Sequence, residues 1–232
     1  MPHSPQKARR GSHGAEADAI NTITQCIRDG QFAPGQRLSE SFLTKEFGFS
    51  RNTIREALRY LAATGLIQFE TNKGARVVLL DRDDVASLYR LREVVEGLGA
   101  ALAATNINFS GHRNAITQML EEVRRLRQDA DTAHFFEHNF RFHRLVSDQA
   151  SNKYVDQTLQ GLQIPALRSS YFDDITTQQY LHSLAEHEGI LEAILDGAAP
   201  QAEALMRSHV ADTRRALMRL SEKDFKRIYQ GV

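Results

Sequence analysis

The sequence is poor in the features that mark secreted, membrane-spanning or strongly charged proteins. Its 232 residues include a single cysteine, Cys26, so no disulfide can form within the chain. No apolar run approaches the roughly 18–20 residues needed to cross a bilayer, and the N-terminal residues lack the apolar stretch of a signal peptide. Lys plus Arg and Asp plus Glu number 29 each, so attraction to nucleic acid must come from local clustering. We therefore expect a cytoplasmic protein that makes no use of a membrane.

Length and composition indicate two globular domains. The chain has 232 residues, 41% of them hydrophobic and 25% charged, and domains usually take about 100–200 residues. Changes of pattern along the sequence predict four segments. These are a flexible basic tail over 1–14, a winged helix-turn-helix domain over 15–79, an all-helical effector-binding and dimerisation domain over 80–222, and a C-terminal tail over 223–232.

The first of these domains shows three short helices followed by a hairpin. Apolar periodicity predicts a helix over 16–29, and Ser39 and Ser50 stand where N-caps of a second and a third helix are expected. Gly48 and Gly65 are placed to end those helices. The β-prone runs 66–69 and 75–78 flank a turn and predict a hairpin. This order of elements is that of a winged helix-turn-helix.

From Asp83 onward the pattern is helical throughout, which predicts a compact all-α bundle and a chain that is mainly α. Breakers between the periodic stretches separate six expected helices. They run over 83–104, 111–129, 132–150, 152–172, 178–196 and 201–221.

The third helix has the composition of a DNA-reading element. With Ile54 at the centre of its buried stripe, Asn52, Arg55 and Arg59 fall on the opposite face and Arg51 lies at the edge of the first turn. Arginine can bridge the O6 and N7 acceptors of guanine in the major groove. The alternative is a solvated charged face. At the hairpin, Lys73 and Arg76 are expected to contact phosphates or the minor groove.

These segments resemble the N-terminal domain of GntR-type transcription regulators. The resemblance rests on Phe47-Gly48-Phe49-Ser50-Arg51-Asn52-Thr53-Ile54-Arg55-Glu56-Ala57-Leu58, on Gly65-Leu66-Ile67 and on Asn72-Lys73-Gly74-Ala75. It implies that Arg51 and Arg55 read bases and that Thr53 and Lys45 contact the backbone or groove. The family usually has Thr-Pro where this chain has Asn52-Thr53.

The helical domain places polar side chains on apolar helix faces. In the helix over 132–150, Asn139 and His143 lie at the centre of a wide face formed by phenylalanines and Val146, whereas His134 and His138 are predicted to lie at the surface. His187 and His209 each lie among apolar residues of the last two helices. Position 198, in the turn over 197–200, lies eleven residues after His187 and eleven before His209, so an antiparallel hairpin would bring the two histidines to the same height.

Burying three imidazoles and an amide is costly unless they form hydrogen bonds or bind an ion. Three imidazole nitrogens suit Zn²⁺, Ni²⁺, Co²⁺ or Mn²⁺, with Asn139 as a weaker fourth ligand. The alternative is a set of hydrogen-bonded core histidines.

A second resemblance covers this domain. Asn139-Phe140-Arg141-Phe142-His143, the stretch from Glu186 to Ile194 and Met206-Arg207-Ser208-His209-Val210 resemble the all-helical FCD effector-binding domain of the same regulators. Many members use one Asp and three His to hold a metal beneath the effector pocket, which implies a ligand set of Asn139, His143, His187 and His209 here. Arg92 and Glu96 form an i, i+4 pair that reads as a helix ion pair, whereas the resemblance implies that Arg92 receives an effector carboxylate.

The sequence thus predicts a homodimeric, sequence-specific regulator, with repression favoured. It would bind a double-stranded operator of inverted-repeat symmetry and respond to a small organic acid bound over a divalent metal. One alternative is a metal sensor in which the ion itself is the signal. A metal-dependent hydrolase is disfavoured because no nucleophile elbow, phosphate loop or general base accompanies the histidines, and we expect no enzymatic activity.

Overall fold

The computed structural model describes residues 12–70, 74–129, 135–166 and 176–230. The chain forms two compact units, Met1–Val78 and Leu79–Val232, which divide one residue before the predicted domain boundary. Among the described residues, no helix is both long enough and apolar enough to span a bilayer. Helices dominate both units, in agreement with the mainly α prediction.

The N-terminal unit is a three-helix winged helix-turn-helix. Its elements are α1 (Ser12–Arg28), β1 (Arg37–Leu38), α2 (Glu40–Phe47), α3 (Arg51–Ala63), β2 (Ile67–Glu70) and β3 (Gly74–Val77). Helix α1 begins at Ser12, so residues 12–14, which we assigned to the flexible tail, are helical, and residues 1–11 lie outside the described residues.

The predicted hairpin is the β2–β3 pair, in antiparallel register with Ile67 opposite Val77. The sheet gains a third strand, β1, giving the order β1-β3-β2. That strand was not predicted because two residues carry no alternating pattern.

Helix caps set the positions of α2 and α3. The hydroxyls of Ser39 and Ser50 accept hydrogen bonds from the amides of Phe42 and Thr53, which confirms both predicted N-caps. Gly48 ends α2 with a φ of 72°, a left-handed conformation that glycine adopts without strain. The turn between the two helices is therefore fixed by two local residues, Gly48 and Ser50.

The C-terminal unit consists of seven described helices. They are α4 (Arg82–Thr105), α5 (His112–Asp129), α6 (Phe135–Gln149), α7 (Lys153–Ala166), α8 (Thr177–Leu195), α9 (Ala199–Met218) and α10 (Glu222–Tyr229). The six predicted helices correspond to α4–α9, apart from residues 132–134 and 167–172, which lie outside the described residues. Helix α4 packs closely on α9, since a Cβ atom at Gly97 would lie 2.5 Å from Cγ of Arg207.

The prediction of a C-terminal tail over 223–232 was wrong for its described part. Ser221 caps α10, and Phe225, Ile228 and Tyr229 are buried in the core of the helical unit. The stretch is only two turns long, so its apolar residues gave too short a pattern to distinguish a docked helix from a tail.

Candidate DNA interface and metal centre

The exposed face of α3 carries the side chains expected to read DNA. Ile54, Leu58 and Leu61 are buried. Arg51, Asn52, Arg55 and Arg59 are exposed, and Thr53 is half-buried with its hydroxyl 2.8 Å from that of Ser50. The predicted polar face is therefore accessible along α3, while its apolar face anchors the helix.

Glu40 orients Arg55 before any DNA is bound. The Nε and Nη2 atoms of Arg55 each lie 3.1 Å from a carboxylate oxygen of Glu40 at the start of α2, a bidentate pair that links the two helices of the motif. The bonds to Arg55 also hold the pKa of Glu40 below its ordinary value. Arg59 pairs with Glu56 one turn earlier on the same helix. The sequence pattern did not reveal the contact of Arg55 with Glu40.

The other predicted DNA contacts have different environments. Lys45 is exposed on α2. Arg76 is half-buried on β3, where it donates to the carbonyl of Gly35 at 2.9 Å and lies 3.2 Å from Glu70, so its guanidinium is tied to the sheet. Lys73 lies outside the described residues.

Three histidines from three helices meet in the core of the helical unit. His143 of α6, His187 of α8 and His209 of α9 are each at most 5% exposed. Nε2 of His209 lies 3.3 Å from Nε2 of His187 and 3.4 Å from Nε2 of His143. Candidate ligand atoms of all three lie within 4.8 Å of one another. Asn139 is also buried, one turn before His143 on α6.

Each of the three rings has a polar partner at its other nitrogen. Nδ1 of His143 lies 2.5 Å from a carboxylate oxygen of Glu96, and Nδ1 of His209 lies 2.9 Å from one of Glu186. Nδ1 of His187 lies 3.3 Å from Nε2 of His138. A ring that donates its Nδ1 proton outward keeps a lone pair on Nε2. The contacts of His187 and His209 have hydrogen-bond geometry, whereas Glu96 lies close to Nδ1 of His143 without hydrogen-bond alignment. The arrangement thus favours lone pairs on Nε2 that face one point.

The prediction that His138 lies at the surface was wrong. His138 is 1% exposed, and its Nδ1 lies 3.1 Å from Glu122 on α5. The prediction was wrong because it used Phe136 and Phe140 to set the direction of the apolar face of α6. The buried positions are instead adjacent pairs, 138 with 139, 142 with 143 and 146 with 147, which put His138 on the inner face. His134 lies outside the described residues.

Arg92 and Glu96 form the expected i, i+4 helix ion pair, and the pair is buried. Both are 3% exposed, and Nε of Arg92 lies 2.6 Å from Oε1 of Glu96. The guanidinium also lies 4.8 Å from the centre of the Tyr89 ring. Burial alone would raise the pKa of Glu96, but Arg92 and His143 together lower it to about 2. Glu96 therefore joins Arg92 to the histidine cluster as a carboxylate.

Burial also favours the neutral form of two of these imidazoles, His187 and His143. It lowers the pKa of His187 well below its ordinary value, helped by the neighbouring histidines. Burial lowers the pKa of His143 as well, although Glu96 opposes the change. Neutral imidazole is the form that binds a metal ion.

A small cavity adjoins the cluster. It is lined by Glu96, Gly99, His143, Val146, Ser147, Leu159 and Met206, and in this conformation it has no free space for a water-sized molecule. The Ser147 hydroxyl is buried and has no hydrogen-bond partner, so the cavity wall offers a donor to a bound molecule. A molecule can therefore enter only if the side chains that line the cavity move apart.

A second group of potential ligands lies nearer the surface. Among the described residues, His182, Glu186 and Asp212 also bring ligand atoms within 4.8 Å of one another. His182 is 68% exposed and Asp212 also pairs with Arg215. Glu186 links the two groups, because its other oxygen contacts Nδ1 of His209.

A winged helix-turn-helix joined to a helical unit with a buried polar cluster is the architecture of a DNA-binding transcription regulator. The family model for bacterial regulatory proteins of the gntR family matches residues 16–77, and the model for the FCD domain matches residues 87–212. The chain belongs to the gntR family and carries an FCD domain, and it is a transcription regulator rather than an enzyme.

Curated relatives support this assignment. The chain is 27% identical to the HTH-type transcriptional regulator LutR of Bacillus subtilis over 214 residues, covering 82% of this chain and 95% of LutR. It is 27% identical to the HTH-type transcriptional repressor RspR of Escherichia coli, covering 87% of this chain and 86% of RspR. The match to the B. subtilis regulator YdhC, at 29% identity, covers 60% of this chain and 62% of that protein.

A solved structure supports the fold. The E. coli protein McbR/YncC superposes with a TM-score of 0.72 at 17% identity, covering 88% of this chain and 97% of that structure.

Proposed function

We propose that this regulator acts in the cytoplasm as a homodimer that binds an inverted-repeat operator, and that a small organic acid bound over a divalent metal in the helical domain changes its operator affinity. Repression is favoured because relatives such as RspR are named repressors. An inverted repeat matches the two-fold symmetry of a dimer.

The convergence of three Nε2 atoms, each ring supported at Nδ1, is the observation that carries the metal site. Nitrogen ligands about 2.0–2.1 Å from a tetrahedral ion lie roughly 3.3–3.4 Å apart, and the Nε2 separations that involve His209 are 3.3 and 3.4 Å. A divalent cation such as Zn²⁺, Ni²⁺, Co²⁺ or Mn²⁺ would satisfy lone pairs that otherwise repel one another. Asn139 or water completes the ligand shell. None of the proposed ligands is a carboxylate. Glu96 and Glu186 supply negative charge next to the site, because each lies beside Nδ1 of a ligand histidine.

The cavity beside His143 is the proposed effector site. The lining side chains must move apart to admit an effector, because the cavity has no free space in this conformation. A carboxylate admitted in this way would bind the metal on its open side, with the Ser147 hydroxyl as a further donor. Arg92 already donates to Glu96 through Nε, so the effector can reach only its other N–H groups unless that pair rearranges. Without such rearrangement, Arg92 supports the site through Glu96.

An exposed apolar stripe on α4 supports the proposed dimer. Leu91, Val94 and Leu98 are 47%, 49% and 45% exposed, although the opposite face of α4 is buried in the core. Together with Ser87, Ala101 and Thr105 they follow alternating spacings of four and three residues. This is the period of a seam between two packed helices, and a second copy of α4 would cover it.

Operator selection tests the DNA-binding part of the proposal. The full-length protein is used to select from random duplexes, and the enriched sequences are compared. We expect an inverted repeat whose binding is lost in Arg55→Ala and kept in Arg125→Ala, which removes an exposed arginine from α5. Enrichment without symmetry, or equal affinity of the two variants, would contradict it.

Operator affinity then tests the response to metal and acid. Fluorescence anisotropy is measured with metal-stripped protein, with Zn²⁺ alone, and with Zn²⁺ plus each member of a panel of small hydroxy and keto acids. A change in operator affinity that requires both Zn²⁺ and an acid supports the proposal. A full response to Zn²⁺ alone indicates the alternative, a metal sensor, and no response to any combination contradicts both.

A further inference from the structure

His187 differs from the other two histidines of the cluster in what holds its outer nitrogen. Nδ1 of His143 and of His209 lies beside a carboxylate, whereas Nδ1 of His187 lies beside a second histidine. That second residue, His138, is 1% exposed and contacts Glu122 through its own Nδ1. Glu122, His138 and His187 thus form a chain of hydrogen-bonding groups that leads from α5 through α6 to α8.

We infer that Glu122 and His138 are positioning residues for the metal site, which fix the tautomer and orientation of His187. The inference rests on the proposed metal site. His138 is not itself a ligand in this arrangement, because its Nε2 faces Nδ1 of His187, on the side of the ring away from the converging Nε2 atoms.

Hydrogen-bond chemistry fixes the direction of the chain. An ionised carboxylate only accepts, so Nδ1 of His138 must carry the proton that bonds to Glu122. In a neutral ring the Nε2 atom of His138 is then an acceptor, and His187 must donate to it from Nδ1. This leaves the Nε2 atom of His187 unprotonated and turned toward His209, 3.3 Å away.

Arg141 holds Glu122 in place at the far end of the chain. Its two terminal nitrogens lie 3.0 and 2.5 Å from the two oxygens of Glu122. Two side chains of α6, Arg141 and His138, thus contact Glu122, and these contacts fix α6 against α5. The ring of Phe142, also on α6, stacks on the His187 ring with their centres 3.7 Å apart, which restricts rotation of the imidazole.

The first experiment reads the tautomers directly. Full-length protein labelled with ¹⁵N-histidine is stripped of metal, and long-range proton–nitrogen correlations are recorded, with His187 assigned from a His187→Gln spectrum. We expect His187 to be protonated at Nδ1. In His138→Leu that preference should be lost, whereas in His182→Leu, which removes an exposed histidine of α8, it should persist.

The second experiment measures Zn²⁺ affinity by competition with a chromophoric chelator. His138→Leu should bind about 10–100-fold more weakly than the natural chain, the usual effect of losing such an outer partner. His138→Gln places an amide oxygen near the former Nε2 position and should recover most of this loss. Recovery by glutamine separates positioning from packing, because leucine fills the core at least as well.

The possible outcomes distinguish a failure of the role inferred for His138 from a failure of the proposed metal site. Nε2 protonation of His187 in the metal-free protein, or equal Zn²⁺ affinity of His138→Leu and the natural chain, overturns the inference and leaves the metal site standing. If the natural chain takes up no Zn²⁺, Ni²⁺, Co²⁺ or Mn²⁺, the metal site fails, and the role of His138 in it fails as well. A larger loss in His182→Leu than in His138→Leu also overturns the inference, since it locates the ion in the surface group.

Discussion

Replacement of Arg92 by methionine should destabilise the helical unit by about 3–5 kcal/mol, the usual cost of breaking a buried ion pair by removing one partner. Methionine fills much of the same space but leaves Glu96 with a buried charge whose main compensation is gone. Arg92 and His143 together lower the pKa of Glu96 from 4.5 to about 2 although burial opposes them, so loss of Arg92 removes a main reason for the carboxylate to be charged in the core.

The same pair predicts how stability depends on pH. Because the folded pKa of Glu96 lies below that of the unfolded chain, its contribution is present above about pH 4.5 and is lost as the pH falls toward 2. Without Arg92 the folded pKa of Glu96 should rise. The variant should then lose less further stability over this acidic range than the natural chain.

Differential scanning calorimetry of the metal-stripped, full-length protein at neutral pH is the assay. One kcal/mol shifts Tm by about 2–4 °C in a domain of this size, so Arg92→Met should lower the Tm of the helical unit by roughly 6–20 °C. Lys226→Met, which breaks an exposed pair of the same i, i+4 spacing with Glu222, should change it little. The double variant Arg92→Met/Glu96→Gln removes both charges and should recover much of the loss. A single variant that melts within 2 °C of the natural chain, or a double variant no more stable than the single one, would refute the reasoning.

Three further outcomes are expected. Arg55→Ala should weaken operator binding by about 1–3 kcal/mol per half-site in anisotropy titrations at fixed salt, with its thermal melt little changed; unaltered affinity would remove α3 as the reading helix. Val94→Glu should convert the dimer to a monomer in analytical ultracentrifugation, whereas Phe109→Glu, an exposed position beyond α4, should not; a dimeric Val94→Glu protein would place the interface elsewhere. Phe225→Ala should cost about 3–5 kcal/mol in urea denaturation, since this ring is 1% exposed, and a loss below 1 kcal/mol would argue against α10 as part of the core.

Local signals in the sequence predicted much of the architecture. Ser39 and Ser50 act as caps over one turn, and the buried stripe of α3 repeats with the period of a single helix, so both can be read without knowing the fold. The meeting of His187 and His209 was predictable for a related reason. They lie at equal distances from position 198 in a short turn. Antiparallel packing of their helices then brings the two rings to the same height and into contact.

Features that depend on packing between distant segments were not predictable in the same way. The burial of Arg92 arises from packing of α4 within the bundle, which the i, i+4 spacing to Glu96 does not reveal. Glu122 reaches His138 from a different helix, and Glu40 reaches Arg55 across the turn of the motif. Small errors in the assumed direction of a helix face are decisive here, because one residue changes the direction of a side chain by about 100°.

Calorimetric titration of Zn²⁺ into metal-stripped, full-length protein tests the central claim most directly. We predict uptake of one ion per chain by the natural protein, loss of that uptake in His209→Ala, and its retention in His182→Ala, which disrupts only the surface group. The paired variants matter because Glu186, a candidate ligand of the surface group, also contacts His209. If the natural chain binds no ion, or if His182→Ala abolishes binding and His209→Ala does not, the buried histidines are not a metal centre and the account is contradicted.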